Sequence, residues 1–398
     1  MDAALPAEDL RFRDEVRAFI AAHLTDELRM AGSLCAGMYC DRPVAQRWMA
    51  ILDQRGWATP AWPVEYGGAG LNAVQNYILA SELAEADAPP ITPNATGMIG
   101  PVLIAFGTPA QKAAYLRRIQ TGEDWWAQGY SEPGAGSDLA SLRTRAVRDG
   151  DDYVINGSKI WTSHAQWSNR IFCLVRTRFD GKPQAGISFL VFDMDLPGIV
   201  VRPIITLAGD HEVNEVFFKD VRVPASGLIG AENDGWTIAK YLLDHERGGQ
   251  YAPKLRRRIR HLRTLLAERA DAWAQAELED LRMRVAEAEI ALDALHIAEL
   301  RVIAARGGGK SATRESSMLK LQGTELQQRI DEIGLETVGD YAAPYQHHAL
   351  HALQPNDAIG PQDLITLTAR YLNNRAASIY AGSNEIQRNI IAGDLLRA

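Results

Sequence analysis

The 398-residue chain predicts an α+β protein built in three consecutive parts: helical over 1–124, β-rich over 125–235, helical again over 236–398. Three observations carry this. Apolar residues recur at helical spacing at both ends of the chain. Short β-prone runs parted by Gly, Pro and Asp fill the middle and suggest a sandwich or barrel. Four long helical periods then follow one another, as in a four-helix bundle.

The first helix is read from Phe12, Val16, Phe19, Ile20 and Leu24, with charges between them. Pro60, Pro63 and Gly67-Gly68-Ala69-Gly70 break the pattern. A second helix fits 72–87, ahead of Pro89-Pro90, and a third fits 109–120, with Pro109 near its first turn. Tyr153-Val154-Ile155 is β-prone, Asn156-Gly157 carries a hairpin-turn signal, and Lys159 to Ser163 continues as a second strand. Further strands are expected over 170–177, 186–193, 199–205 and 215–223. Helices are expected over 236–269, 275–305, 312–338 and 362–377, with a short one ending the chain. Val285, Ala288, Leu292, Leu295 and Val302 mark one long apolar stripe.

Composition narrows the function. Apolar residues are 46% and charged residues 23%, too apolar for a disordered chain. Lys plus Arg is 42 against 50 for Asp plus Glu, a net charge of −8, opposite to the balance of nucleic-acid binders. No run approaches the roughly 18 apolar residues of a membrane helix. Residues 1–10 lack a secretory pattern, and three cysteines, Cys35, Cys40 and Cys173, make no closed disulfide framework. The expected compartment is the cytoplasm.

Several motifs carry little. Gly309-Lys310-Ser311 imitates a phosphate loop, but its first glycine would fall at Ala304 inside a helical segment, so a break between helices is the better reading. His347, His348 and His351 have no ligand partners that would make a metal site. Lys254, Arg256, Arg257, Arg258, Arg260 and Arg263 form a basic helix face with no aromatic interleaving. It is either a solvated face or a phosphate contact at a subunit boundary. There is no GxGxxG after a strand.

The informative stretch runs Gly129-Tyr130-Ser131-Glu132-Pro133-Gly134-Ala135-Gly136-Ser137-Asp138, where helix gives way to strand. Its small residues let backbone N–H groups approach a ligand, though alone it could be an elaborate turn. It is followed by Lys159-Ile160-Trp161-Thr162-Ser163, by Asn214-Glu215-Val216-Phe217-Phe218 leading to Asp220-Val221-Arg222-Val223-Pro224, and by Ile379-Tyr380-Ala381-Gly382-Ser383-Asn384-Glu385-Ile386-Gln387-Arg388. In this order and spacing the set resembles the acyl-CoA dehydrogenase family of flavoproteins across essentially the whole chain.

The resemblance implies an N-terminal helical domain, a β-barrel and a C-terminal four-helix bundle, with FAD wedged between barrel and bundle. It implies a CoA thioester substrate and α,β-dehydrogenation to the trans-2-enoyl-CoA, the hydride passing to flavin N5. Ser131 matches the hydroxyl beside the flavin pyrimidine, with Gln128, Tyr130 and Gly136 in the same loop. Ser137 matches a residue touching both pantetheine and cofactor. Trp161, Thr162 and Ser163 match the strand backing the isoalloxazine. Ser383 and Glu385 match cofactor contacts at the start of the last helix, and Ser383 or Asn384 also reads as a simple N-cap.

In much of the family the base that takes the α-proton is a glutamate immediately before the glycine of the terminal motif. Here that position is Ala381. A second family location lies on the first bundle helix, ahead of an Arg. It matches Glu246 in Leu243-Asp244-His245-Glu246-Arg247-Gly248-Gly249, so Glu246 is assigned as base. Asp244 and Arg247 become substrate contacts, and the backbone N–H of Ala381 one arm of an oxyanion hole. Gly248 and Gly249 either leave space for the acyl chain or let helices pack closely.

The Arg-x-x-Phe-Gly motif that grips a neighbouring subunit's FAD is missing between 264 and 310. The glycine pair before the last long helix is reduced to Val338-Gly339-Asp340-Tyr341. Ser316-Ser317-Met318-Leu319-Lys320 and Gly323-Thr324-Glu325-Leu326-Gln327-Gln328-Arg329 look most like large subunits of the pimeloyl-CoA dehydrogenase type. The implied acceptor is an electron-transfer flavoprotein, and the implied assembly a homo- or hetero-oligomer, dimer or tetramer. Ala381 leaves open a flavin-binding partner subunit without activity of its own; an oxidase or hydroxylase on the same fold is a further reading.

Overall fold

The computed structural model of the chain describes residues 6–246, 250–307, 313–344, 346, 350, 358–361 and 364–396. Two compact units result. One gathers 1–48, 70–91 and 247–398, the other 49–69 and 92–246.

The first unit is helical. α1 (Ala7–His23) buries Val16, Phe19 and Ile20, as its spacing predicts. α2 (Asp26–Leu34) is capped by Thr25, whose side chain accepts from Leu28 N–H. α3 (Arg42–Asp53) leads out of this unit. α4 (Ala73–Glu85) starts with a capping box between Asn72 and Gln75. α8 (Ala252–Glu268), α9 (Gln275–Gly307), α10 (Thr313–Val338) and α11 (Ile365–Asn373) share one core that includes Leu255, Leu262, Leu292, Ile330, Ile333 and Leu367. α12 (Asn384–Leu395) packs on α10.

The second unit holds α5 (Gly100–Phe106), α6 (Pro109–Gln120), α7 (Gly235–Glu246) and the sheet. α6 matches its expected span because Thr108 and Gln111 form a capping box with Pro109 at the first turn. The strands are β1 (Trp126–Gly129), β2 (Arg145–Asp149), β3 (Asp152–Ser163), β4 (Arg170–Arg176), β5 (Ile187–Asp193), β6 (Ile199–Ile204), β7 (Val213–Pro224) and β8 (Leu228–Ile229). Their order is β6-β7-β3-β2-β4-β5-β8, with β1 parallel to β4. The middle part is therefore a mostly open sheet between helical parts; its path ends at β6 and β8.

Two expectations are corrected. Asn156-Gly157 is not a hairpin turn: β3 runs straight through it against β7, with a register shift between Ile155 and Gly157. Asn156 Nδ2 donates to Asp220 Oδ1 at 3.0 Å and Asp220 N–H donates back to Asn156 Oδ1 at 2.9 Å, which fastens a bulge on both strands. Gly157 has φ +150°, and a Cβ there would meet Thr144 Oγ1 at 2.6 Å. The hairpin turn lies earlier, at Gly150-Asp151, between the paired residues Asp149 and Asp152. Likewise 236–269 is two helices, α7 and α8, because Pro253 fits only the first turn of a new one. At 362–377, α11 passes into a 3-10 segment, Asn374–Ser378.

Among the described residues no helix is long and apolar enough to cross a membrane, and no group of three His, Cys, Asp or Glu could hold a metal ion. Gly309, Lys310, Ser311, His347, His348 and His351 lie outside the described residues. The basic face of α8 is largely neutralised: Arg257 pairs with Asp87, Arg258 with Asp331, Arg260 with Glu85 and Arg263 with Glu289.

Candidate functional site

In the sheet-bearing unit, β1 delivers Gln128 and Gly129 into the small-residue loop. Glu132 and Ala135 exchange backbone hydrogen bonds, each 3.0 Å, and close a tight turn over Pro133-Gly134. The Glu132 carboxylate sits behind that turn. It accepts from Arg143 N–H at 2.6 Å, Thr144 N–H at 2.8 Å and Lys159 Nζ at 2.8 Å. Burial alone would push this carboxyl up; the Lys159 charge and the hydrogen bonds outweigh it and hold it below the ordinary range. Lys159 is wholly buried and also donates to the Tyr130 carbonyl at 3.1 Å. Ile160 N–H donates to the Ser131 carbonyl at 3.0 Å. The loop is thus sewn onto β3 at Tyr130, Ser131 and Glu132.

Beyond these anchors the loop is open. Gly134 and Gly136 have nothing within 4 Å of where a Cβ would stand. Ser137 is exposed and Ser131 half-buried. Tyr130 is buried, its ring edge-on to Phe172 with centroids 5.9 Å apart.

β3 carries the next group. The register slips between Lys159 and Thr162, and inside the slip Trp161 adopts φ +60° with 60% of its surface exposed. A tryptophan in left-handed backbone is costly, and so large an exposed ring in a strand is unusual. Thr162 is buried with its carbonyl held by Asn214 Nδ2 at 3.1 Å, while its hydroxyl has no partner among the described residues. Ser163 is half-buried. An exposed aromatic face, an unsatisfied buried hydroxyl and an open loop of small residues fit a planar, polar-edged ring system, which is the chemistry of a flavin.

α7 ends at Glu246. Its start is fixed by Gly235, where a Cβ would meet the Ser188 backbone at 2.5 Å, and Ile238, Ala239 and Leu242 bury its inner face. The side chains of Asp244 and Glu246, and the whole of Arg247, Gly248 and Gly249, lie outside the described residues.

In the helical unit, Ala381 (φ +54°) and Gly382 (φ +81°) are consecutive left-handed residues ahead of α12. Gln387, wholly buried, holds this turn: its Nε2 donates to the Gly382 carbonyl at 2.9 Å. Ser383 is the N-cap, accepting from Ile386 N–H. Glu385 is exposed; backbone and Ser383 hydrogen bonds hold its carboxyl below the ordinary range. Asn384 is buried and accepts from Lys320 Nζ at 2.8 Å and Thr324 Oγ1 at 3.2 Å; burial pushes the Lys320 ammonium down to about 8.

The structure therefore groups Gln128, Tyr130, Ser131, Gly136, Ser137, Trp161, Thr162 and Ser163 in one unit, and Ala381, Ser383 and Glu385 in the other. The supporting residues Glu132, Lys159, Lys320 and Gln387 were not singled out from sequence. Lys159 and Lys320 carried one signal: a lysine inside an otherwise apolar or small-residue run is buried only when paired.

Comparison with known proteins agrees along the whole chain. Residues 6–123, 127–221 and 233–396 match the N-terminal, middle and C-terminal domains of acyl-CoA dehydrogenase. The chain is 36% identical to the acyl-CoA dehydrogenase IpdE1 of Mycobacterium tuberculosis over 97% of this chain and 96% of that one. Among solved structures, the Tcur3481-Tcur3483 steroid ACAD is similar with TM-score 0.84 and 31% identity, covering 100% of this chain and 99% of that chain. The ChsE4-ChsE5 complex from Mycobacterium tuberculosis is similar with TM-score 0.83 and 30% identity over 100% of this chain and 99% of that chain. The chain belongs to the acyl-CoA dehydrogenase family, as an FAD-dependent oxidoreductase that dehydrogenates an acyl-CoA thioester.

Proposed function

We propose that this enzyme dehydrogenates a bulky, ring-bearing acyl-CoA between its α- and β-carbons, giving the trans-2-enoyl-CoA, with Glu246 as the base. The observation that carries the base assignment is Glu246 at the C-terminal end of α7 combined with alanine at 381. Likeness to a steroid acyl-CoA dehydrogenase over the full chain supports the bulky acyl group.

Bound flavin supplies the hydride acceptor at N5. Ser131, with Gln128, Tyr130 and Gly136 of the same loop, would hold it; Ser137 would contact it and the pantetheine; Trp161, Thr162 and Ser163 would back it, and Ser383 and Glu385 would contact it from the head of α12. Glu246 accepts the α-proton. The Ala381 N–H donates to the thioester oxygen as charge develops there; its strained backbone, clamped by Gln387, supports this role. Ser137, Asp244 and Arg247 contact the substrate.

We also infer, from the resemblance to the family, the division at 1–124, 125–235 and 236–398, closure of the middle sheet as a barrel, and a four-helix bundle of α8 to α11. The large-subunit pimeloyl-CoA dehydrogenase type, an electron-transfer flavoprotein as acceptor and a cytoplasmic location belong to the same reading. A homo- or hetero-oligomer is supported by the two neighbours that are complexes of two named chains.

The test is anaerobic titration of the purified protein with a panel of acyl-CoA esters, read in the visible flavin band. Ring-bearing esters should bleach it, and Glu246→Gln should keep flavin but lose bleaching. Normal bleaching in that variant overturns the base. Bound flavin that no ester bleaches assigns instead a partner subunit without activity of its own.

A further inference from the structure

The helical unit holds a partly open cavity of about 360 Å³ that shares no residue with the site above. α2, α8, α10 and α11 wall it. Leu34, Leu262 and Leu367 make part of the wall apolar; Arg257, Arg258, Arg370 and Asp331 make the rest charged. Arg257 is paired with Asp87, and Arg258 with Asp331 at 3.2 Å. Asp331 is further occupied by Asn374 Nδ2 at 2.6 Å.

Arg370 is left over. It is 6% exposed, and its Nη2 donates to the Cys35 carbonyl at 3.2 Å. No carboxylate pairs with it among the described residues. Burial pushes it down to about 10, and Arg258 and Arg257 act in the same direction, against the more distant charge of Asp331. A buried guanidinium is normally paired, because leaving it without a counter-charge costs more than the rest of its packing returns. Its planar fork matches a carboxylate with two parallel hydrogen bonds. The apolar wall suits a hydrocarbon stem better than a free inorganic ion.

We propose that this cavity binds a carboxylate carried on an apolar stem, with Arg370 as its principal contact. Two sources share that chemistry: a free carboxylic acid, and an acyl group bearing a second carboxylate.

The experiment uses the flavin-loaded full chain. Hexanoate and cyclohexanecarboxylate are titrated while the melting temperature is followed, with inorganic phosphate as control. A concentration-dependent rise in the wild type, with affinity about ten-fold or more weaker in Arg370→Gln, supports the site and a free acid as its source. Without ligand, Arg370→Gln should melt no lower than wild type, since it removes a buried charge that no carboxylate pairs among the described residues; a structural arginine would lower it. Ser33→Leu, at a half-buried wall position, should abolish the rise independently. If free acids give no shift, the second arm compares an ω-carboxyacyl-CoA with its methyl-terminated equivalent. A preference for the carboxylate that falls about ten-fold in Arg370→Gln assigns the second source. An unchanged shift in Arg370→Gln, an equal shift with phosphate, or no effect in either arm overturns the proposal. The melting arm needs no turnover, so it stands apart from the fate of Glu246.

Discussion

Lys159 Nζ lies 2.8 Å from Glu132 Oε1, and the lysine has no exposed surface. The two residues join the small-residue loop to β3, and each also binds backbone of the other's surroundings: Lys159 the Tyr130 carbonyl, Glu132 the N–H groups of Arg143 and Thr144. The loop positions that face open space, Gly134 and Gly136, hang from this pair. A buried ion pair is weak evidence for net stability, but removing one partner strands the other.

Lys159→Met should therefore cost about 3–5 kcal/mol in urea unfolding near neutral pH. The sign with pH follows from Glu132. Its folded-state pKa is depressed, so its stabilising contribution is present above the ordinary carboxylate range and is lost as pH falls through the depressed value. In Lys159→Met burial remains without the lysine, and the carboxyl prefers its proton. The gap between wild type and variant should narrow on acidification. A gap that stays constant would mean the loss is one of packing rather than charge.

Trp161 combines a left-handed backbone with an exposed ring, the position proposed above to back the flavin. Trp161→Gly removes the left-handed penalty, about 1–3 kcal/mol, from the flavin-free protein, although glycine returns some backbone entropy to the unfolded chain. Flavin-free Trp161→Gly should melt at or above wild type while binding FAD about ten-fold or more weakly, the loss expected on removing a stacked aromatic face. Equal FAD affinity, measured by fluorescence quenching on reconstitution, would show that the exposed ring serves something else.

The proposed base at 246 and the terminal-motif location at 381 allow an exchange test in one chain. Ala381 already has backbone of the kind the terminal turn imposes, and Gln387 clamps the carbonyl of Gly382, not the 381 side chain. Glu246→Gln should lower the rate of flavin bleaching by at least about 10²-fold. Adding Ala381→Glu should recover part of it. If the double variant is as inert as the single, a carboxyl at 381 does not reach the α-carbon in this protein.

Much of the fold could be read from local chemistry. Pro109–Gln120 was found at both ends because Thr108, Pro109 and Gln111 write its start into the sequence. The errors arose where long-range partners overrode a local signal. Asn156-Gly157 has turn chemistry, yet Asp220 and Thr144, distant in sequence, convert it into a bulge. The hairpin turn falls instead at Gly150-Asp151, between the paired residues Asp149 and Asp152. At the site, the resemblance proposes roles for residues such as Ser131 and Trp161, but the left-handed backbone of Trp161 and Ala381 could not be read, since neither residue type favours it. Nor could the Glu132–Lys159 link, or the burial of Arg370 with no carboxylate partner among the described residues, because burial and charge balance exist only once distant helices and strands meet.

α9 carries a second apolar face besides the one in the core. Leu281, Val285, Ala288, Leu292 and Leu295 bury one face of this helix in the core. Met283, Ile290 and Ile297 are 61%, 72% and 50% exposed. Single exposed apolar residues are ordinary. These three, however, are spaced by seven, which returns to within about 20° of the same direction on a helix and makes a second apolar seam. Such a seam is what a partner helix covers, and it supports the oligomer proposed above. Replacing all three by lysine should leave helical circular dichroism unchanged, because the core face is untouched. It should also reduce the mass measured by sedimentation at low concentration. Retention of the wild-type mass would place the subunit contact elsewhere, while a fall in mass together with loss of FAD would indicate that the contact also secures the cofactor, which lacks the family's usual Arg-x-x-Phe-Gly grip.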